Sequence, residues 1–191
     1  MNLVEGAAVV LAVAYLVLAI RENRWCWPAG FGSALLYLLV FYQAGLYMES
    51  ALQLFYASIA VYGWWVWRPE PGSGAVLSIH RWPLRRHGLA AVAIALLTLG
   101  SGWLLAHYTD AALPYLDSFV TWSAVLTTWM VARKLLENWL YWLVIDGVTL
   151  GLALDRGLYL TAALFGLYLV LVVIGWRRWL ATWNRLGDKA P

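Results

Sequence analysis

GLYMESALQLFYASIAVYGWWVW, residues 45–67, has a partner in GLYLTAALFGLYLVLVVIGWRRW, residues 157–179. The two align without a gap at a constant offset of 112, with identities that include Ala51/Ala163, Leu52/Leu164, Tyr56/Tyr168, Gly63/Gly175, Trp64/Trp176 and Trp67/Trp179. Continued upstream at the same offset, Trp27 pairs with Trp139 and Arg21 with Arg133. Similarity held at one fixed spacing is the mark of a duplicated structural unit.

Working outward from these stretches, seven apolar runs approach the length of about 20 residues that a bilayer-crossing helix needs. They are Leu3 to Ile20, Trp27 to Tyr42, Glu49 to Trp67, Gly88 to His107, Pro114 to Ala132, Glu137 to Leu154 and Leu158 to Trp179. Runs one to three match runs five to seven, and run four has no counterpart. A three-span unit starts on one side of the membrane and ends on the other, so two copies in the same orientation need one extra crossing between them. The expected fold is therefore an all-α integral membrane protein of seven transmembrane helices, two parallel three-helix repeats joined by a linking helix (3+1+3). The expected divisions are 1–67 for the first repeat, 68–112 for a cytosolic linker and the connecting helix, and 113–191 for the second repeat and a cytosolic tail. Carriers built from repeats place their substrate near the bilayer midplane, between the copies.

Composition supports the membrane reading. Of 191 residues, 63% are hydrophobic and 12% charged, where a soluble domain is nearer half apolar and a quarter charged. Fourteen Trp and eleven Tyr are numerous enough that some must anchor at the bilayer surfaces; Trp64, Trp65, Trp67, Trp176 and Trp179 are expected there. The single cysteine, Cys26, forms no internal disulfide. Arg68–His87, RPEPGSGAVLSIHRWPLRRH, carries three prolines and three glycines and reads as the one long connection, with His80 and His87 expected in solvent.

Charge placement gives orientation. Arg21, Arg24, Arg68, Arg81, Arg85, Arg86, Arg133, Lys134, Arg177, Arg178, Arg185 and Lys189 fall on one side, twelve of the thirteen basic residues, and Arg156 lies on the other. Because cytoplasmic loops hold the Lys and Arg excess, the N-terminus is expected outside and the C-terminus in the cytosol. Arg133 and Lys134 are expected to enforce that topology.

Two stripes carry the candidate chemistry. In RKLLENWLYWLVIDGVTLGLALDRG, residues 133–157, Asn138, Trp142 and Asp146 recur every fourth position and so share one helix face. Glu49, Gln53 and Tyr56 share a face of the third run. A carboxylate at membrane depth costs about 2.5–3.5 kcal/mol on insertion scales, so an acidic residue there is expected to face a cavity and to have a function. Thr121 and Tyr168 add hydroxyls, and Trp139 a further indole. The expected substrate-binding set is Glu49, Gln53, Tyr56, Thr121, Asn138, Trp139, Trp142, Asp146 and Tyr168. Among them, Glu49 can equally serve as a cap at the start of its helix, where a carboxylate suits the helix dipole.

Enzymatic chemistry is not expected. The sequence has no HExxH, nucleophile elbow, P-loop or CxxC. Three scattered histidines and one cysteine do not make a metal set, and no cofactor, metal or nucleic acid is expected. Carboxylates attract a cation, Trp faces a flat or cationic ring, and amides suit hydroxyls. A cationic aromatic ring attached to a polyol satisfies all three.

Glu49–Trp67, Leu116–Gly147 and Arg156–Trp179, with RENRWCWPAG at Arg21–Gly30, resemble the PnuC-type vitamin transporters. The resemblance covers nearly the whole chain outside the fourth span and the linker. It implies a fold related to the SWEET and SemiSWEET sugar transporters, location in the bacterial inner (plasma) membrane, a homotrimer, and facilitated diffusion coupled to a cytosolic kinase that traps the vitamin. The ENWLYWLVID segment and the GLYLT start point to nicotinamide riboside, a cationic pyridinium on a ribose, which serves NAD biosynthesis. The alternatives are a thiamine or riboflavin uniporter of the same family, or a non-transporting membrane receptor or scaffold, for which polar groups at depth have no purpose.

Overall fold

A computed structural model describes residues 3–43, 47–70, 72, 74–109, 113–155, 157 and 159–187. Among the described residues the chain is all helical, with seven helices: α1 (Leu3–Ile20), α2 (Cys26–Gln43), α3 (Tyr47–Val66), α4 (Leu84–Tyr108), α5 (Pro114–Ala132), α6 (Asn138–Asp155) and α7 (Tyr159–Gly187). Each overlaps one of the seven expected spans. Two extend well beyond the apolar runs. α4 begins early enough to carry Arg85 and Arg86 in its first turn. α7 continues past Trp179 to Gly187 and reaches 29 residues, about 43 Å at 1.5 Å per residue, so the polar segment after Trp179 is helix where a short tail was expected.

By length and composition, α1, α4 and the Thr161–Arg185 part of α7 are apolar enough to cross a membrane. The other four helices, at 18, 20, 19 and 18 residues, span about 27–30 Å. They reach across a hydrocarbon core of about 30 Å but carry more polar residues: Ser33 and Gln43 on α2, Gln53 on α3, the α5 hydroxyls, and Asn138 and Asp146 on α6.

The chain forms two compact units. One holds residues 1–79 with 131–134 and 177–191, and the other holds 80–130 with 135–176. In the first, α2 packs on both α1 and α3. Ser33 is buried and donates to the Ala8 carbonyl at 2.9 Å, which uses a small residue to bring α1 and α2 close together.

The repeat is legible in local geometry. α1 and α5 end in the same way. Glu22 and Lys134 adopt left-handed backbone, with φ of 54° and 52°, uncommon for residues other than glycine. Around Glu22, Asn23 N–H donates to Leu18 O at 2.9 Å and Glu22 N–H to Ala19 O at 3.0 Å. Around Lys134, Leu135 N–H donates to Met130 O at 3.0 Å and Lys134 N–H to Val131 O at 2.9 Å. Both pairs are Schellman closures, which satisfy carbonyls left open at a helix end, and every donor and acceptor is displaced by the same 112 positions. Trp27 and Trp139, both 1% exposed, repeat as well. Trp27 packs flat against Gly63 in one unit, and Trp139 against Gly175 in the other. A Cβ on Gly175 would lie 2.5 Å from the Trp139 ring, and one on Gly63 would collide with Trp27. These glycines are there because an indole occupies the space of their missing side chain.

Gly63→Ala and Gly175→Ala are therefore expected to destabilise the protein by about 1–3 kcal/mol, as overpacked cores do. Gly147→Ala, where an added Cβ meets nothing within 4 Å, is the control. Thermal unfolding in detergent checks this: equal midpoints for Gly63→Ala and Gly147→Ala would refute the packing account.

Candidate functional site

The α6 stripe begins where the α5 closure ends. Asn138 N–H donates to Leu135 O at 3.2 Å, and its side-chain Nδ2 donates to the same carbonyl at 2.6 Å. Half of the Asn138 amide thus completes the turn, while its Oδ1 is buried with no hydrogen-bond partner among the described residues. One helical turn on, Trp142 is half-buried. A further turn on, Asp146 is 5% exposed, about 12 Å along the axis from Asn138 at 1.5 Å per residue. The ion pairs among the described residues are Arg81–Glu137 and Lys134–Glu22, and Asp146 belongs to neither. A carboxylate buried without a cation is costly, and this makes Asp146 the most informative residue of the site.

The remaining expected residues fall as follows. Gln53 and Tyr56 lie half-buried on α3, where the helix places them on one face, and Tyr56 packs edge-on against Phe55 at 5.7 Å. The side chain of Glu49 lies outside the described residues, so its placement is not part of the site geometry. Thr121 is half-buried on α5, and Tyr168 on α7 lies edge-on to Phe165 at 5.7 Å. Trp139, Asn138, Trp142 and Asp146 stand on one helix of the second unit, with Thr121 and Tyr168 on its other helices. Gln53 and Tyr56 stand in the first unit. Trp139 is the member whose surroundings are fixed by packing, against Gly175.

The second unit also contains a cavity of about 620 Å³ among α4, α5 and α6, with Ile94, Thr98, Phe119, Tyr141 and Val144 in its wall. Its α6 residues, Leu140, Tyr141, Val144 and Ile145, lie on the side of the helix roughly opposite the Asn138–Trp142–Asp146 face at 100° per residue. The stripe therefore does not line this cavity.

The linker departs from expectation. It is not a solvated loop at its far end but docks on the α5–α6 turn. His80 and Leu135 form a parallel β-bridge, with Leu136 N–H donating to His80 O at 2.9 Å. Arg81 Nε lies 2.9 Å from Glu137 Oε1, and Trp82 N–H donates to Glu137 Oε2 at 3.4 Å. His87, expected in solvent, has its Nδ1 2.9 Å from the Tyr141 hydroxyl. Glu137, at 5% exposed, is a buried carboxylate that draws the linker in, a role no local sequence signal carried.

Two surface assignments also change. Trp67 and Trp179 are 4% and 0% exposed with their indole N–H groups bonded to carbonyls, so they are core residues, whereas Trp65 is 68% exposed. Lys134 is 5% exposed and paired with Glu22, so it packs inside the fold and is not a free topological charge.

A family model described as the nicotinamide mononucleotide transporter matches residues 2–181. The chain belongs to the nicotinamide mononucleotide transporter family. This is a family of membrane transporters, not of enzymes. Among its relatives, the riboflavin/roseoflavin transporter RibM of Streptomyces davaonensis is 25% identical over 173 residues, covering 89% of this chain and 81% of that protein. The nicotinamide riboside transporter PnuC of Escherichia coli is 23% identical over 212 residues, covering 98% of this chain and 89% of that protein. The crystal structure of the vitamin B3 transporter PnuC superposes with a TM-score of 0.75 at 21% identity, over 95% of this chain and 82% of that one. The fold is thus the one seen in that family member.

Proposed function

We propose that this transporter takes up nicotinamide riboside by facilitated diffusion across the bacterial inner membrane. The observation that carries the reading is Asp146, buried on α6 outside either ion pair, one turn from Trp142 and two from Asn138. A cationic pyridinium supplies the charge that this carboxylate lacks. The Trp142 face stabilises a cationic ring, by about 2 kcal/mol or more when desolvated, and amides at Asn138 and Gln53 suit the ribose hydroxyls. In this reading the protein is a 3+1+3 arrangement with α4 linking two parallel three-helix repeats, residues 1–67 and 113–191, and residues 68–112 between them. The matched Schellman closures at Glu22 and Lys134 and the matched Trp–Gly packings support the duplication. The residues proposed to bind the substrate are Glu49, Gln53, Tyr56, Thr121, Asn138, Trp139, Trp142, Asp146 and Tyr168. The N-terminus lies outside and the C-terminus in the cytosol. The protein works as a homotrimer, and a cytosolic kinase traps the vitamin.

A second reading has its own support. The riboflavin/roseoflavin transporter RibM is as similar to this chain as PnuC is, and a neutral isoalloxazine would also stack on tryptophan. Titrating the purified protein with nicotinamide riboside, thiamine and riboflavin while following intrinsic tryptophan fluorescence separates them. Saturable quenching by nicotinamide riboside, abolished by protonating or removing Asp146, is expected. Saturation by riboflavin with no response to nicotinamide riboside would replace the first reading by the second.

A further inference from the structure

In the first unit, contacts tie one repeat copy to the other at a single level. Lys134 Nζ donates to Glu22 Oε2 at 3.0 Å, across a sequence separation of 112, so the partners are equivalent positions of the repeat. Each is the left-handed residue that closes its helix. The Lys134 ammonium also lies 4.7 Å from the Trp67 ring centre. Trp67 Nε1 donates to Ala132 O at 3.0 Å, and Trp179 Nε1 donates to Ala19 O at 3.1 Å. These two tryptophans are equivalent as well. The end of α3 is thus bonded to the end of α5, and α7 to the end of α1: each copy gives one indole to the other. The two rings approach to 6.2 Å.

Replacing a buried ion pair by apolar residues of similar volume is often neutral or stabilising, so charge at this joint is not explained by stability alone. The Glu22 side chain keeps 23% of its surface accessible, so the pair borders water and can be solvated when it parts. A carrier made of two copies that rock about a fixed site must close one end while the other opens. The polar contacts that join the copies here, one ion pair and two indole N–H bonds, are discrete, which suits a joint with two states.

We propose that the Glu22–Lys134 ion pair, with the reciprocal Trp67–Ala132 and Trp179–Ala19 bonds, is the cytosolic gate of the transporter, shut in this conformation. Opening parts the ion pair and releases both indoles. The assignment rests on the transport reading above.

Cys26 reports on this gate without any engineering. It is the chain's one cysteine, it is wholly buried, and its N–H bonds to Asn23 O in the turn that holds Glu22. In inside-out vesicles, the rate at which a membrane-impermeant maleimide labels Cys26 is measured for the parent, Lys134→Met, Glu22→Gln and the charge swap Glu22→Lys/Lys134→Glu. Both positions already hold unbranched side chains in left-handed backbone, so the swap adds no strain. The single variants are expected to label at least about tenfold faster, since Glu22→Gln strands the buried Lys134 and Lys134→Met strands the half-buried Glu22, and the swap is expected to return to near the parent rate. Single variants that label at the parent rate would overturn the gate. So would fast labelling that the swap fails to slow, because loss of packing alone would then account for it. Labelling needs no substrate. If the parent transported none of the three vitamins, the transport reading would fall on that result, while the labelling rates would still decide whether this joint opens.

Discussion

Asp146→Ala and Trp142→Ala are expected to lose nicotinamide riboside binding while the protein still inserts and folds. Asp146 is buried with no ion-pair partner among the described residues. Its removal takes away the only charge of the α6 stripe and costs the bound cation its counter-ion. Removing one partner of a polar contact costs about 1–3 kcal/mol, and more where a charge is left bare, so binding should fall by roughly tenfold to several hundredfold. For the apo protein the sign is reversed: an uncompensated buried carboxylate is unfavourable, so Asp146→Ala should leave thermal stability unchanged or raise it. Loss of binding with retained or raised stability is the signature of a functional residue. Trp142 is half-buried, so truncating it removes a ring face and little core. Gln53→Ala should have a smaller effect, since an amide to a hydroxyl is a neutral hydrogen bond. If all three variants bind as the parent does in a fluorescence titration, the substrate site lies elsewhere.

The fold was largely written in the sequence because membrane helices announce themselves by length and apolarity, and α1 and α5 were placed to the residue. The ends that moved were those where helix outlasts hydrophobicity. The α4 start carries Arg85 and Arg86, and the α7 extension carries Leu180, Ala181 and Arg185, all good enough helix formers to continue a helix beyond the apolar stretch. The internal similarity was legible as a numerical offset, and the hydrogen bonds of the Glu22 and Lys134 turns follow that offset residue for residue.

The site was less legible, for a physical reason. Spacing of four along α6 reports a shared face, but not what that face meets. Asn138 illustrates the limit: one Nδ2 hydrogen is taken by the Leu135 carbonyl, so Oδ1 and one N–H are what the amide has left for a ligand. Trp139 sits beside Trp142 in sequence yet packs on Gly175, and the glycine partner was visible only as one more identity in the repeat. The linker misled because its Pro and Gly content says nothing of Glu137, which lies more than fifty residues from Arg81. Glu22 and Lys134 did leave a trace: opposite charges at equivalent positions of a duplicated unit are a pattern that can be sought in advance.

A larger effect is expected for the energetics of uptake. The proposed mechanism needs neither sodium nor proton coupling. A uniporter brings free substrate to equal concentration on both sides. A substrate with one net positive charge is drawn inward by about 2.3 kcal/mol per 100 mV when the carrier returns without moving compensating charge, which is roughly fiftyfold at equilibrium. A kinase on the inside removes free substrate and turns equilibration into accumulation. The most direct test is uptake of labelled nicotinamide riboside into liposomes containing only this protein, at zero membrane potential and without ion gradients. Equilibration to the external concentration, converted to accumulation by enclosed kinase and ATP, is the predicted result; no flux of nicotinamide riboside, or concentration of the unmodified vitamin that depends on an imposed sodium or proton gradient, would contradict it.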